Sequence, residues 1–154
     1  MNSSQSSGPV NRAHQSNRHL EAKQEAGEIL TRLGFEVMYE FELADVVGFH
    51  LESGTVVALE VELSPKNIAN NLARNLKHGF QIIIIAVPAD RVGRTEDIVQ
   101  RLVPQPKAEL IVKTLAIEDL PRDLARIIRE EIRKKCPQLS YETESLHGRS
   151  RGQR

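Results

Sequence analysis

The chain has 154 residues with 21 Lys and Arg against 21 Asp and Glu, so its formal net charge is zero and it offers no global attraction to a polyanion; a nucleic-acid surface would have to be a local patch. Apolar residues make up 40% and charged residues 27%, which suits one globular domain, and with no Trp and only 4% aromatics the core must come from Ile, Leu and Val. A single cysteine, Cys136, excludes an intramolecular disulfide and any zinc site of Cys/His spacing, and a cytoplasmic location with no membrane partner is expected because neither a signal peptide nor a membrane-length apolar run is present.

Residues 1–17 are rich in Ser, Asn and Gln, with too little apolar surface to offset the entropy of ordering, and are read as a disordered polar lead. Leu20, Ala22, Ala26, Ile29, Leu30 and Leu33 then recur at helical spacing, with Gly34 where a C-terminal cap belongs. Phe35 to Leu43 reads as a strand in which Val37, Tyr39 and Phe41 alternate against Glu36, Met38, Glu40 and Glu42. Asp45 to Leu51 reads as a second strand, and Glu52-Ser53-Gly54 supplies turn chemistry before a third from Thr55 to Ser64.

That third strand carries Val57, Leu59, Val61 and Leu63 on one face and Ala58, Glu60 and Glu62 on the other, so two carboxylates about 7 Å apart share a face. Ser64-Pro65 opens a helix, because Ser caps free amides and Pro is tolerated at the first helical position. Ile68, Leu72, Ala73 and Leu76 form its expected buried stripe and Gly79 ends it. Phe80 to Val87 is an almost unbroken apolar run, as in a central strand covered on both faces, and Pro88 stops it.

A short helix over Thr95 to Leu102, a strand over Leu110 to Leu115 and an amphipathic helix over Pro121 to Cys136, with Leu124, Ile127, Ile128 and Ile132 inward, complete the domain at residues 18–137. Residues 138–154 form a flexible basic tail. The element order predicts an α/β fold, a three-layer mixed β-sheet with flanking helices.

A helix, a three-stranded meander, a helix and a central apolar strand, with Asp45 at the start of the second strand and Glu60-Val61-Glu62 on the third, resembles the PD-(D/E)XK, or restriction-endonuclease-like, nuclease superfamily. The run Glu60, Glu62, Ser64, Lys66, Asn71, Asn75, Gly79 and Phe80 is similar to nuclease-like domains of mobile elements and DNA-transfer ATPases. The resemblance implies a metal-dependent DNA endonuclease in which Asp45 and Glu60 hold Mg²⁺ (or Mn²⁺), helped by the Val61 carbonyl. Glu62 then activates water or binds a second metal and Lys66 compensates charge; on the first helix, where the family often has a supporting acid or amide, Lys23 stands at the expected Glu position with Glu21, Gln24 and Glu25 beside it, and Gln24 and His19 match the narrower group. Ala44 stands where the family commonly has Pro and Glu62 where it usually has Lys, a cation that orients the attacking water. Carboxylates from adjacent strands suit a hard divalent cation, and two anions in a partly buried cleft raise one another's pKa.

Asn67, Asn71, Arg74 and Lys77 are the candidate nucleic-acid-binding residues of the second helix, where a run of Asn is unusual. Each feature also has a plainer reading: a sheet face open to water for Glu60 and Glu62, a turn acid for Asp45, and a solvated helix face for Lys66, Arg74 and Lys77. Arg122, Arg126, Arg129 and Arg133 form a stripe that is either a phosphate track or an ordinary solvated face. The expected partner is DNA, with a homodimer compatible with two sites meeting two strands. The alternative is an inactive nuclease-like module that binds DNA or a protein, an ATPase or mobile-element partner, without cutting.

Overall fold

The computed structural model describes residues 10–105 and 108–139. Its elements are helix α1 (Val10–Arg32), strands β1 (Glu36–Phe41), β2 (Ala44–His50) and β3 (Thr55–Val61), helix α2 (Ile68–His78), strand β4 (Ile82–Val87), helix α3 (Val92–Leu102), strand β5 (Ile111–Ala116) and helix α4 (Leu120–Lys135). The expected order of elements is therefore present. Helix α1 already begins at Val10, within the stretch read as polar lead, and most of the basic tail lies outside the described residues.

One five-stranded sheet runs β1-β2-β3-β4-β5 in sequence order, antiparallel across β1, β2 and β3 and parallel across β3, β4 and β5. The two parallel steps proceed in the same direction, so crossovers of one hand must lie on one face of the sheet. Helices α2 and α3 do so: Ile68, Leu72, Ile98 and Val99 pack with Ala58, Ile83, Ile85 and Val87. Helices α1 and α4 cover the opposite face, where Ala26, Leu30, Leu124 and Ile128 meet Val57, Leu59, Ile82 and Ile84. The Ile82–Val87 strand is buried along its whole length, which accounts for its lack of alternation.

Close approach of α1 to the sheet depends on two glycines. A Cβ on Gly48 would stand 2.9 Å from Phe35 Cδ1 and 3.2 Å from Leu30 Cδ1, and one on Gly27 would collide with the Tyr39 hydroxyl.

Two details of the sequence reading are corrected. Val37 packs toward α1, but Phe41 packs into the α2/α3 layer. The alternation breaks because Glu40 takes a left-handed backbone (φ 54°), and the ladder passes from Tyr39 opposite Val46 to Phe41 opposite Ala44. On α2, Ala73 is exposed, and Asn75 takes the buried position at 0% exposure.

The β1–β2 hairpin closes through Glu42 and Leu43, both at positive φ (50° and 66°), as a two-residue type I′ turn requires. Neither is the Gly or Asn that such a turn favours. Ser64 Oγ accepts the Lys66 amide over a short 3-10 turn that leads into α2, and Gly79 ends α2 at φ 76°. Among the described residues, no helix is long and apolar enough to cross a membrane.

Candidate functional site

The site lies where β2 begins and β3 ends. Val46 pairs with Leu59 at this end of the β2–β3 ladder, and Asp45 lies just beyond it, its carboxylate between α1 and the end of β3. Glu60 and Glu62 share the face of Ala58 by alternation, and the Glu62 amide donates to Ala86 O at 2.8 Å, continuing the β3–β4 ladder past the end of β3. The face is covered by α2. Glu60 and Glu62 are consequently 3% and 7% exposed, which overturns the reading of an open, solvated sheet face.

Each acid has defined partners. Asp45 Oδ2 accepts the Val61 amide at 2.8 Å and lies 3.2 Å from His19 Nε2 of α1. Asp45 is thus more than a turn acid, because its carboxylate bridges two strands where they separate. Glu60 Oε1 accepts Arg74 Nη2 at 2.8 Å and Asn75 Nδ2 at 2.7 Å. Glu62 Oε1 accepts Asn71 Nδ2. Arg74 ties the set together, donating through Nη1 to Asn71 Oδ1 at 3.0 Å and through Nη2 to Leu43 O at 2.9 Å.

Burial disfavours the charged form of both glutamates. Glu60 is pushed from 4.5 up to about 7, chiefly by desolvation, with the charges of Asp45 and Glu62 adding to it and the Asn75 hydrogen bond and Arg74 charge opposing. Glu62 is raised in the same direction, again mainly by burial and then by Asp45, against the Asn71 hydrogen bond, His19 and Arg74. The mutual repulsion expected of acids on adjacent strands therefore adds to both shifts.

Of the remaining predicted residues, Gln24, Lys66, Asn67 and Lys77 are exposed. Asn71 and Arg74 face inward to the acids, although the sequence suggests an outward role on nucleic acid. Lys23, where the resemblance implies a supporting acid, is buried against Glu40 on β1. The α1 residue that reaches the site is His19, one turn before Lys23.

Asn75 was legible only as one Asn among several. Its i, i+3, i+4 relation to Asn71 and Arg74 is the signal that groups the three on one side of α2. The arginines of α4 are exposed, and Arg122 and Arg126 pair with Asp123 and Glu130 on their own helix and with Asp119 just before it, as a solvated face does.

Hard oxygen donors on neighbouring strands, and the repulsion between them, are the chemistry a divalent cation would satisfy. As the side chains stand, no group of three or more His, Cys, Asp or Glu among the described residues is placed to hold a metal ion, and the cation in contact with Glu60 is Arg74. No protein-family model, curated protein or solved structure matches the chain.

Proposed function

We propose that the chain is a metal-dependent, restriction-endonuclease-like nuclease that hydrolyses DNA phosphodiester bonds at the Asp45–Glu60–Glu62 cluster. The observation that supports this reading is the burial of Glu60 beside two further carboxylates, with its pKa raised to about 7. A fold has little structural reason to gather three acids under a helix, since each is costly to desolvate and each raises the others' energy. A site prepared for a cation does.

Asp45 and Glu60 are the residues that would hold Mg²⁺ or Mn²⁺, and such an ion supplies charge neutralisation at the scissile phosphate and acidifies water. Glu62 takes a proton from the attacking water, a role favoured by a carboxyl whose pKa has moved toward neutrality. Asn71 orients that carboxyl through its hydrogen bond. Exposed Lys66, Asn67 and Lys77 on and before α2 supply backbone contacts to DNA, with the salt dependence such contacts bring. Plasmid nicking in Mg²⁺ or Mn²⁺, compared with Glu60→Ala, tests the reading: activity lost in the variant is expected, and equal activity in both proteins removes this site from the reaction.

A second reading is favoured by the Arg74–Glu60 ion pair, which neutralises the cluster from within. On that reading the chain binds DNA or a protein partner of a mobile element or DNA-transfer ATPase without cutting. DNA retained in EDTA at unchanged affinity, together with no nicking in either metal, would select it.

A further inference from the structure

Arg74 stands in contact with the carboxylate assigned above to a metal ion. Its Nη2 is 2.8 Å from Glu60 Oε1, and the same guanidinium is held by Asn71 Oδ1 and Leu43 O. A divalent ion bound to Glu60 would face that guanidinium at short range in a poorly solvated pocket, where like charges repel most strongly. The two cations compete for one seat.

A separate observation indicates that the seat is not tailored to a guanidinium. Arg74 Nε is buried with no hydrogen-bond partner, and so is Asn75 Oδ1, on the same amide whose Nδ2 bonds Glu60. An orphaned donor on Arg74 costs free energy that its departure would recover. An orphaned amide oxygen beside Glu60 is the kind of group that hard cations, or the waters bound to them, take up. Arg74 also has somewhere to go: its side chain is 26% exposed, against 4% for Glu60.

We propose that Arg74 is the displaceable counter-ion of the acidic pocket, holding Glu60 in the metal-free protein and swinging to solvent when a divalent cation enters. The inference rests on the metal-site reading above. It makes Arg74 a positioning residue that sets the threshold of divalent concentration at which the site becomes loaded, and it links loading to the β1–β2 turn through Leu43 O.

Calorimetric titration of Mn²⁺ into the wild type and Arg74→Met tests it. Removing a competing charge-assisted bond is expected to tighten Mn²⁺ binding by about ten- to a hundredfold, while Arg74→Met lowers the melting temperature in EDTA. Equal or weaker binding by Arg74→Met overturns the displacement and leaves the metal site standing. Absence of binding heat in both proteins overturns the metal site and the displacement together. Should the variant fail to fold, the wild type suffices: the side-chain Nε–H resonance of Arg74, followed by NMR through a Mg²⁺ titration, is expected to move to a solvent-averaged position at saturation. A resonance unchanged in Mg²⁺-saturated protein overturns the proposal.

Discussion

Asp45 Oδ2 lies 2.8 Å from the Val61 amide nitrogen, so a side chain on β2 takes the hydrogen bond that the backbone of β2 no longer makes to β3. The carboxylate is thereby fixed where the strands part, within reach of His19 on one side and close enough to Glu60 and Glu62 to raise both. One local contact thus sets both the end of the ladder and the electrostatics of the cluster.

Asp45→Ala removes the acceptor and leaves the Val61 amide unpaired, at a cost of about 1–3 kcal/mol. Asp45→Asn keeps an acceptor oxygen while losing the charge, so it should retain most of the stability. Urea unfolding of the two variants in EDTA checks this; equal losses would mean that charge, and not the bridging bond, is what the fold uses.

The metal-free protein should lose stability as pH rises. Glu60 ionises near 4.5 in the unfolded chain but near 7 in the fold, so the folded state holds this proton more tightly. The associated stability is fully present below about pH 4.5 and is lost as pH rises through about 7, amounting to roughly 3 kcal/mol. Glu62 acts in the same direction. Melting temperatures in EDTA between pH 4.5 and 8 should fall more steeply for the wild type than for Glu60→Gln. Parallel curves would show that Glu60 does not carry the effect.

Gly48→Ala should destabilise by about 1–3 kcal/mol, because the added methyl meets Phe35 and Leu30 at the α1–sheet contact and the packed core has little room to yield. Gly54→Ala has open space at its Cβ and pays only for its positive φ of 66°. Chemical denaturation ranks the two; a larger loss at Gly54 would contradict the packing described.

Replacing Glu42-Leu43 by Asn-Gly should stabilise the metal-free protein by about 1 kcal/mol, since both positions have positive φ and those residues relieve the cost. The Leu43 carbonyl that receives Arg74 is backbone and survives the change. A fall in melting temperature would mean that the native side chains contribute contacts outweighing the strain.

Much of the fold was legible in the sequence because its signals are local. Helical spacing in α1, α2 and α4, the Ser64-Pro65 start, the Gly79 stop and the apolar Ile82–Val87 strand each follow from rules acting over a few residues. The placement of Glu60 and Glu62 on one face also follows, since strand alternation needs only a period of two. The break at Glu40 was not readable, because a left-handed non-glycine residue inside a strand has no compositional mark.

By itself, then, the sequence determined the elements, their order and the shared face of Glu60 and Glu62, all consequences of backbone geometry and apolar periodicity. Only the tertiary structure decided that Asn71, Arg74 and Asn75 turn inward to the glutamates, that His19 and not Gln24 approaches Asp45, and that Lys66 stays in solvent. Those pairings depend on how far α1 and α2 slide and rotate against the sheet before their side chains meet it. The angles are set by packing across the whole core, and no short stretch of residues encodes them.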